Sequence, residues 1–270
     1  MAATTAPPGR TAAFFDLDKT IIAKSSSMAF SRPFLAGGLI SRRSVLRSTY
    51  AQFVFALGGA DHDQMEKIRG FMSTLVAGWD VATVREIVAD TLHHIVDPLV
   101  YDEAVELIEQ HKAQGRDVVI VSTSGTEVVE PIGAMLGADM VVATRLEVVE
   151  GKYTGEIEYY AYAEEKARAI EELAALRGYD LAECYAYSDS ITDVPMLEAV
   201  GHSFAVNPDK ELRKVATTND WPVLSFEKPV ALRSRVQLAA KPTIAALAVG
   251  GVVAVGGVLW ANSRKKRLEA

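Results

Sequence analysis

The chain has 270 residues, 49% of them hydrophobic, enough for one large domain or two small ones with a sizeable core. Its net charge of −7 conceals a division: residues 228–270 hold eight Lys/Arg and one Glu, whereas residues 1–227 hold 20 against 34 acids. An acidic body argues against a nucleic-acid partner, which would want a basic face; a single cysteine, Cys184, leaves no intramolecular disulfide and fits a reducing compartment.

Residues 1–11 are small and polar, with Pro7-Pro8-Gly9, and read as a disordered N-terminus without the apolar segment of a signal peptide. Ala12-Ala13-Phe14-Phe15 is an apolar run of strand length that ends in Asp16-Leu17-Asp18-Lys19-Thr20. In an open α/β sheet ligands bind beyond the carboxyl ends of the strands, and a spacing of two points both acids to one side of the strand tip. Taken alone, such a pair also fits a solvated turn.

Residues 25–96 lack strand alternation. Ser44–Leu57, His62–Leu75 and Asp80–Ile95 carry apolar residues at helical spacing and read as a helical insertion, closed by Pro98. Helix Tyr101–Gln114 re-enters the sheet domain. The pattern then alternates: strand 117–121, helix 126–137, strand 139–143, a hairpin turning at Glu150-Gly151, helix 163–178, strand 184–188, helix 192–200 and strand 202–206. Such alternation predicts an α/β, Rossmann-like parallel sheet with crossover helices, built from residues 12–24 and 97–228.

Three further features fall at strand ends or helix starts. Val118–Val121 runs into Ser122-Thr123-Ser124-Gly125, Lys166 lies on the helix after the Tyr159–Tyr162 stretch, and Tyr185-Ala186-Tyr187 leads into Ser188-Asp189-Ser190-Ile191-Thr192-Asp193. A hydroxyl, a lysine and a second acid pair, added to Asp16 and Asp18, compose a site for a phosphate and a metal. In order and content these four motifs, from Ala12 to Phe226, resemble the haloacid dehalogenase-like phosphohydrolases, and among them the phosphoserine phosphatase-like branch with its α-helical cap inserted after the first motif.

The resemblance implies a role for each position. Asp16 would be the nucleophile and form an aspartyl-phosphate; Asp18 would protonate the leaving alkoxide and then activate water. Mg²⁺ would be held by a carboxylate oxygen of Asp16, the main-chain carbonyl of Asp18 and Asp189. Ser122, with the main-chain N–H groups of Thr123 and Ser124 near a helix start, would bind the phosphoryl oxygens. Lys166 would offset developing charge, and Asp193 would orient Lys166 or a metal-bound water from behind.

Two departures are visible. The branch usually reads Gly-Asp-Gly-x-Asn-Asp where this chain has Ser188, Ser190 and Thr192 around its aspartates. It also carries a glutamate, nine residues past the nucleophile, that meets the ammonium group of phosphoserine; Ser25 stands there and supplies no charge. Arg32, Arg42, Arg43 and Arg47 on the insertion are candidates to meet an anionic substrate. The five histidines share no metal-ligand spacing and read as surface or core residues.

Beyond a linker at 229–242, Thr243–Ala261 is 19 residues without a charge, about 28 Å as a helix, close to the thickness of a bilayer core. Trp260 stands at its end, and Arg264-Lys265-Lys266-Arg267 follows in the basic tail 262–270. A buried Gly/Ala-rich core helix is the competing reading, weakened by Gly250-Gly251 and Gly256-Gly257.

The sequence thus predicts a Mg²⁺-dependent phosphomonoester hydrolase acting on a small phosphorylated substrate, anchored to a membrane by one C-terminal helix with its body cytoplasmic. A phosphatase of a lipid-linked phosphate and a non-catalytic scaffold that binds a partner through the cap share the same fold. The intact Asp16/Asp18 pair argues against the scaffold.

Overall fold

Strand β1 (Ala12–Phe15) is buried along its whole length, as a strand covered on both faces must be. It is the centre of a seven-stranded sheet in a computed structural model that describes residues 10–40, 70, 73–227 and 229. The other strands are β2 (Asp117–Gly125), β3 (Met140–Val149), β4 (Lys152–Tyr159), β5 (Tyr185–Ser188), β6 (His202–Val206) and β7 (Val223–Leu224), in the spatial order β4-β3-β2-β1-β5-β6-β7. All are parallel except β4, which returns antiparallel along β3. The chain runs outward from β1 through β2 to β3 and then crosses back to β5 on the other side. That reversal opens a crevice at the carboxyl ends of β1 and β5.

Alternation along β1 sends Phe14 and Phe15 to opposite faces. On the Phe14 side, α6 (Glu164–Arg177), α7 (Val194–Glu198) and α8 (Lys210–Thr218) contribute Ile170, Ala174, Met196, Leu197, Leu212 and Ala216 to one core with Ala186 and Ala205. On the Phe15 side lie α4 (Asp102–Ala113), whose His111 meets Phe15 edge-on, and α5 (Thr126–Leu136). Gly133 lets α5 sit close to the sheet: a Cβ there would come within 2.6 Å of the Val141 side chain.

The inserted segment begins with two short helices, α1 (Ser26–Ala29) and α2 (Ser31–Ala36), and ends with α3 (Val81–Ile95), N-capped by Asp80, whose carboxylate accepts from the Thr83 N–H at 2.8 Å. Helix α3 packs against α5, and Arg85 reaches Glu127. Main-chain bonds tie the insertion to the hairpin: Gly78 N–H to Tyr153 O, Tyr153 N–H to Trp79 O and Val81 N–H to Gly151 O.

Several expectations are corrected. Strand β2 does not stop at 121 but continues through Ser122–Gly125 with a register shift against β3, up to α5, which begins at Thr126 as expected. The reason is the Thr144 hydroxyl, which donates to the Thr123 carbonyl and keeps the chain in the sheet. The strand expected at 139–143 runs on to Val149 as one arm of the hairpin, which makes the sheet mixed at that edge. The helix expected at 192–200 is a 3₁₀ turn, Ile191–Asp193, followed by α7, whose first turn holds Pro195, a residue suited to helix starts. Helix α8 and strand β7 were not expected.

The helix Ser44–Leu57 and most of His62–Leu75 lie outside the described residues, as do Arg42, Arg43 and Arg47, nearly all of the linker, the segment 243–261 and the tail 262–270. Among the described residues, no helix is long and apolar enough to cross a membrane.

Candidate active site

Asp16 is the first residue past β1, with its N–H donated to the Tyr187 carbonyl of β5 at 2.9 Å, so the strand pairing itself fixes its main chain. Its carboxylate oxygen Oδ1 accepts from Lys166 Nζ at 2.7 Å. The same ammonium donates to Asp193 Oδ2 at 2.8 Å, and Asp193 Oδ2 also accepts from the Ser188 hydroxyl at 2.7 Å. These groups come from β1, α6, β5 and the turn after it, and Asp16, Lys166, Ser188 and Asp193 are all buried.

Asp18 faces differently. Its Oδ1 accepts from the Ser26 N–H at 2.8 Å, at the start of α1, and its Oδ2 accepts from the Ser124 hydroxyl at 3.1 Å. Ser26 and Ser124 share a further hydroxyl–hydroxyl bond of 2.7 Å. The insertion and the tip of β2 therefore both hold Asp18. Lys19, next in line, has a left-handed φ of +64°, which turns the chain sharply between the acid pair and Thr20.

Ser122 is buried, and its Oγ accepts from the Ser124 N–H at 3.2 Å. The Thr123 hydroxyl turns away to donate to the Ala161 carbonyl at 2.9 Å. Of the three residues expected to bind phosphate, Ser124 thus points its side chain at Asp18 and Thr123 fastens the loop before α6. Asp189 follows Ser188 at the tip of β5, buried, with its carbonyl accepting from the Asp209 N–H at 2.8 Å. Asp209 also accepts from the Ile191 and Leu212 N–H groups, bracing the Asp189 turn and capping α8 at once.

Burial and charge set the electrostatics. Burial pushes Asp16 up to about 7, with the Lys166 charge pulling the other way and Asp193 and Asp18 adding to the rise. Burial likewise pushes Asp189 up to about 8, reinforced by the negative charge of Asp16. Asp18 is raised, again chiefly by burial. Burial alone would lower Lys166, but Asp16 and Asp193 outweigh it and raise it.

Two carboxylates that burial pushes towards their protonated forms are a fitting place for a cation, since positive charge between them would restore both to the ionised form. Every available donor is oxygen, which suits a hard ion such as Mg²⁺. With the Asp18 side chain committed to Ser26 and Ser124, that residue has its main-chain carbonyl to offer; among the described residues no three His, Cys, Asp or Glu side chains converge on one point.

The sequence alone does not single out Ser26 or Asp209, and it marks Ser188 only as a departure from the branch. For Ser26 the run Ser25-Ser26-Ser27 after the first motif was a signal, read there only for its lack of charge. For Ser188 the signal was a hydroxyl where the branch has glycine.

Residues 13–198 match the family described as haloacid dehalogenase-like hydrolase. The chain belongs to that family, in its phosphoserine phosphatase-like branch, and is an enzyme of the phosphatase kind. It is 60% identical over 262 residues to the "inhibition of morphological differentiation protein" of Streptomyces azureus, covering 95% of each chain. It is 61% identical over 248 residues to a Mycobacterium tuberculosis protein named as a probable phosphatase, covering 92% of this chain and 86% of that one. A solved structure described as a phospho-aspartyl intermediate analogue of phosphoserine phosphatase shares the fold at a TM-score of 0.60 and 22% identity, over 85% of this chain and 99% of the other.

Proposed function

We propose that the chain is a Mg²⁺-dependent phosphomonoester hydrolase that works through an aspartyl-phosphate on Asp16. The observation that carries this reading is the bond of Lys166 to both Asp16 and Asp193 in a buried setting. Lys166 occupies Oδ1 of Asp16, so Oδ2 attacks phosphorus as the bond to the leaving oxygen breaks. Asp18, whose protonated form burial favours, gives the leaving alkoxide its proton and recovers one from the water that then attacks the intermediate. Ser122 already accepts from the Ser124 N–H, and its own O–H is the donor for a phosphoryl oxygen. Asp16, Asp189 and the Asp18 carbonyl would hold Mg²⁺, which would supply positive charge to offset that of the carboxylates and the phosphoryl group.

The test is Asp16→Asn. Turnover of a small phosphomonoester should vanish, and rapid acid quenching of the wild type should leave a phosphoryl group on the peptide carrying Asp16. Wild-type turnover by the variant would sink the mechanism. Chelation should abolish wild-type turnover and added Mg²⁺ restore it.

A membrane anchor at 243–261, with the body cytoplasmic, is the second part of the proposal. Its support is the uncharged 19-residue span with Trp260 and four basic residues behind it. Removal of residues 230–270 should release an active, soluble enzyme from the membrane fraction. Full-length protein in the soluble fraction, with the shortened form aggregating, would instead make the segment a core helix.

A further inference from the structure

The loop from Tyr159 to Ala163 connects the hairpin to α6, and the reaction described above uses none of its side chains. Tyr160 and Tyr162 are both half-exposed, and their rings are stacked, with centroids 5.4 Å apart and planes 22° from parallel. Ala161 between them is fully buried. Its N–H donates to Thr144 Oγ1 at 3.2 Å and its carbonyl accepts from Thr123 Oγ1 at 2.9 Å, which fastens the loop to the strand tip bearing Ser122 and Ser124. The Tyr162 N–H donates to the Tyr160 carbonyl at 2.8 Å, and Ala163 follows at φ +50°, ψ −119°, a conformation costly to any residue with a side chain.

A loop that only joined a hairpin to a helix would need neither a strained turn nor two stacked rings. Together they hold Tyr162 in one place, four residues before Lys166, near enough for the negative charge of Asp193 to help burial in raising its phenol. On the insertion, Ser25 leads into α1 and supplies no charge at the position where the phosphoserine phosphatases that the sequence resembles carry a glutamate.

We propose that Tyr162, backed by Tyr160, is the contact surface for the leaving group, and that the preferred substrates are phosphomonoesters of alcohols bearing a flat, unsaturated ring. The proposal rests on the phosphoryl group sitting between Ser122 and Lys166, as in the reaction above. A ring laid on a fixed tyrosine gains offset-stacked contact that a saturated chain of similar size lacks, a preference of roughly 3- to 10-fold.

The experiment compares 2-phenylethyl phosphate with n-hexyl phosphate, a saturated chain of similar size, on the full-length enzyme with Mg²⁺. The ratio of their kcat/KM values is the readout, and it does not depend on the fraction of active protein. The wild type should favour the ring substrate about 10-fold; Tyr162→Leu and Tyr160→Leu should each bring the ratio to about 2 or below, and Tyr162→Phe should keep it. Binding of 2-phenylethylphosphonate against n-hexylphosphonate, which cannot be turned over, should give the same order. Equal ratios in the wild type, or a ratio that survives Tyr162→Leu, would overturn the shelf and leave the phosphatase reading standing. No hydrolysis of either ester, with the ring preference intact in phosphonate binding, would uphold the shelf and overturn the catalytic reading.

Discussion

Lys166 and His111 are both buried basic side chains: His111 packs against Phe15 of β1 and Tyr187 of β5, and Lys166 lies just beyond the ends of those strands, on a helix that covers the other face of the sheet. Lys166 sits between two carboxylates, at 2.7 Å from Asp16 and 2.8 Å from Asp193. His111 has a phenol and a guanidinium: Nε2 is 2.9 Å from the Tyr187 hydroxyl and Nδ1 is 3.2 Å from Arg116. The guanidinium can only donate, so Nδ1 accepts and the ring proton sits on Nε2, pointing at Tyr187. Burial lowers His111 to about 4, with the Arg116 charge helping, whereas at Lys166 the carboxylates overcome burial. Desolvation is common to both sites; the sign of the neighbouring charge decides whether the buried base keeps its proton.

The strongest way to break that contrast is Lys166→Met, which empties the charged side of its cation at similar volume. Asp16 and Asp193 would then be buried without a counter-charge, at a cost of about 3–5 kcal/mol in stability. Loss of a donor poised at the reacting group should lower kcat by about 10²–10³-fold. Denaturant unfolding and steady-state rates with saturating Mg²⁺ measure the two effects. A variant as stable and as fast as wild type would mean that Lys166 is not the counter-ion of this pair.

Ser188→Gly sharpens the same side by a smaller amount. It removes the hydroxyl that fixes Asp193 while leaving all three charged groups in place. A hydrogen bond to a charged group is worth about 1.5 kcal/mol or more, so kcat should fall about tenfold with KM nearly constant. Ser188→Thr, which keeps the hydroxyl, should retain most of the rate. A change in KM alone would assign Ser188 to substrate binding rather than to positioning Asp193.

The smallest effect concerns the neutral side. Below the ordinary histidine value of 6.5 and down to about 4, the unfolded chain binds a proton at His111 that the folded chain refuses. Stability therefore declines as pH falls through that window, and this contribution is constant below it. His111→Phe should be less stable at pH 7, having lost its partners Tyr187 and Arg116, yet its melting temperature should fall less steeply between pH 6.5 and 4. An unchanged slope would show that His111 does not titrate as a buried neutral group.

The same contrast separates what is legible in the order of the amino acids from what is not. Apolar runs that close on acids or hydroxyls are local, and the parallel sheet follows from their alternation with helices; Asp16, Asp18, Ser122, Lys166, Asp189 and Asp193 stand out as candidates because they fall, in order, in four motifs that resemble those of the haloacid dehalogenase-like hydrolases. The continuation of β2 past Val121 does not stand out, because one hydroxyl, that of Thr144, holds the Thr123 carbonyl from a neighbouring strand.

Sequence by itself determined which residues could be reactive, since residue type and position at a strand end are local properties. Tertiary structure decided how they are partnered. Ser26 reaches Asp18 from the insertion, Ser124 spends its hydroxyl on the same acid 106 residues away, Thr123 turns to Ala161, and Ser188 rather than a glycine steadies Asp193. A hydroxyl has two or three staggered choices and many possible partners within reach of its backbone. Only the packed arrangement of β1, β2, β5 and α6 selects one, because packing fixes which partners come within hydrogen-bond distance.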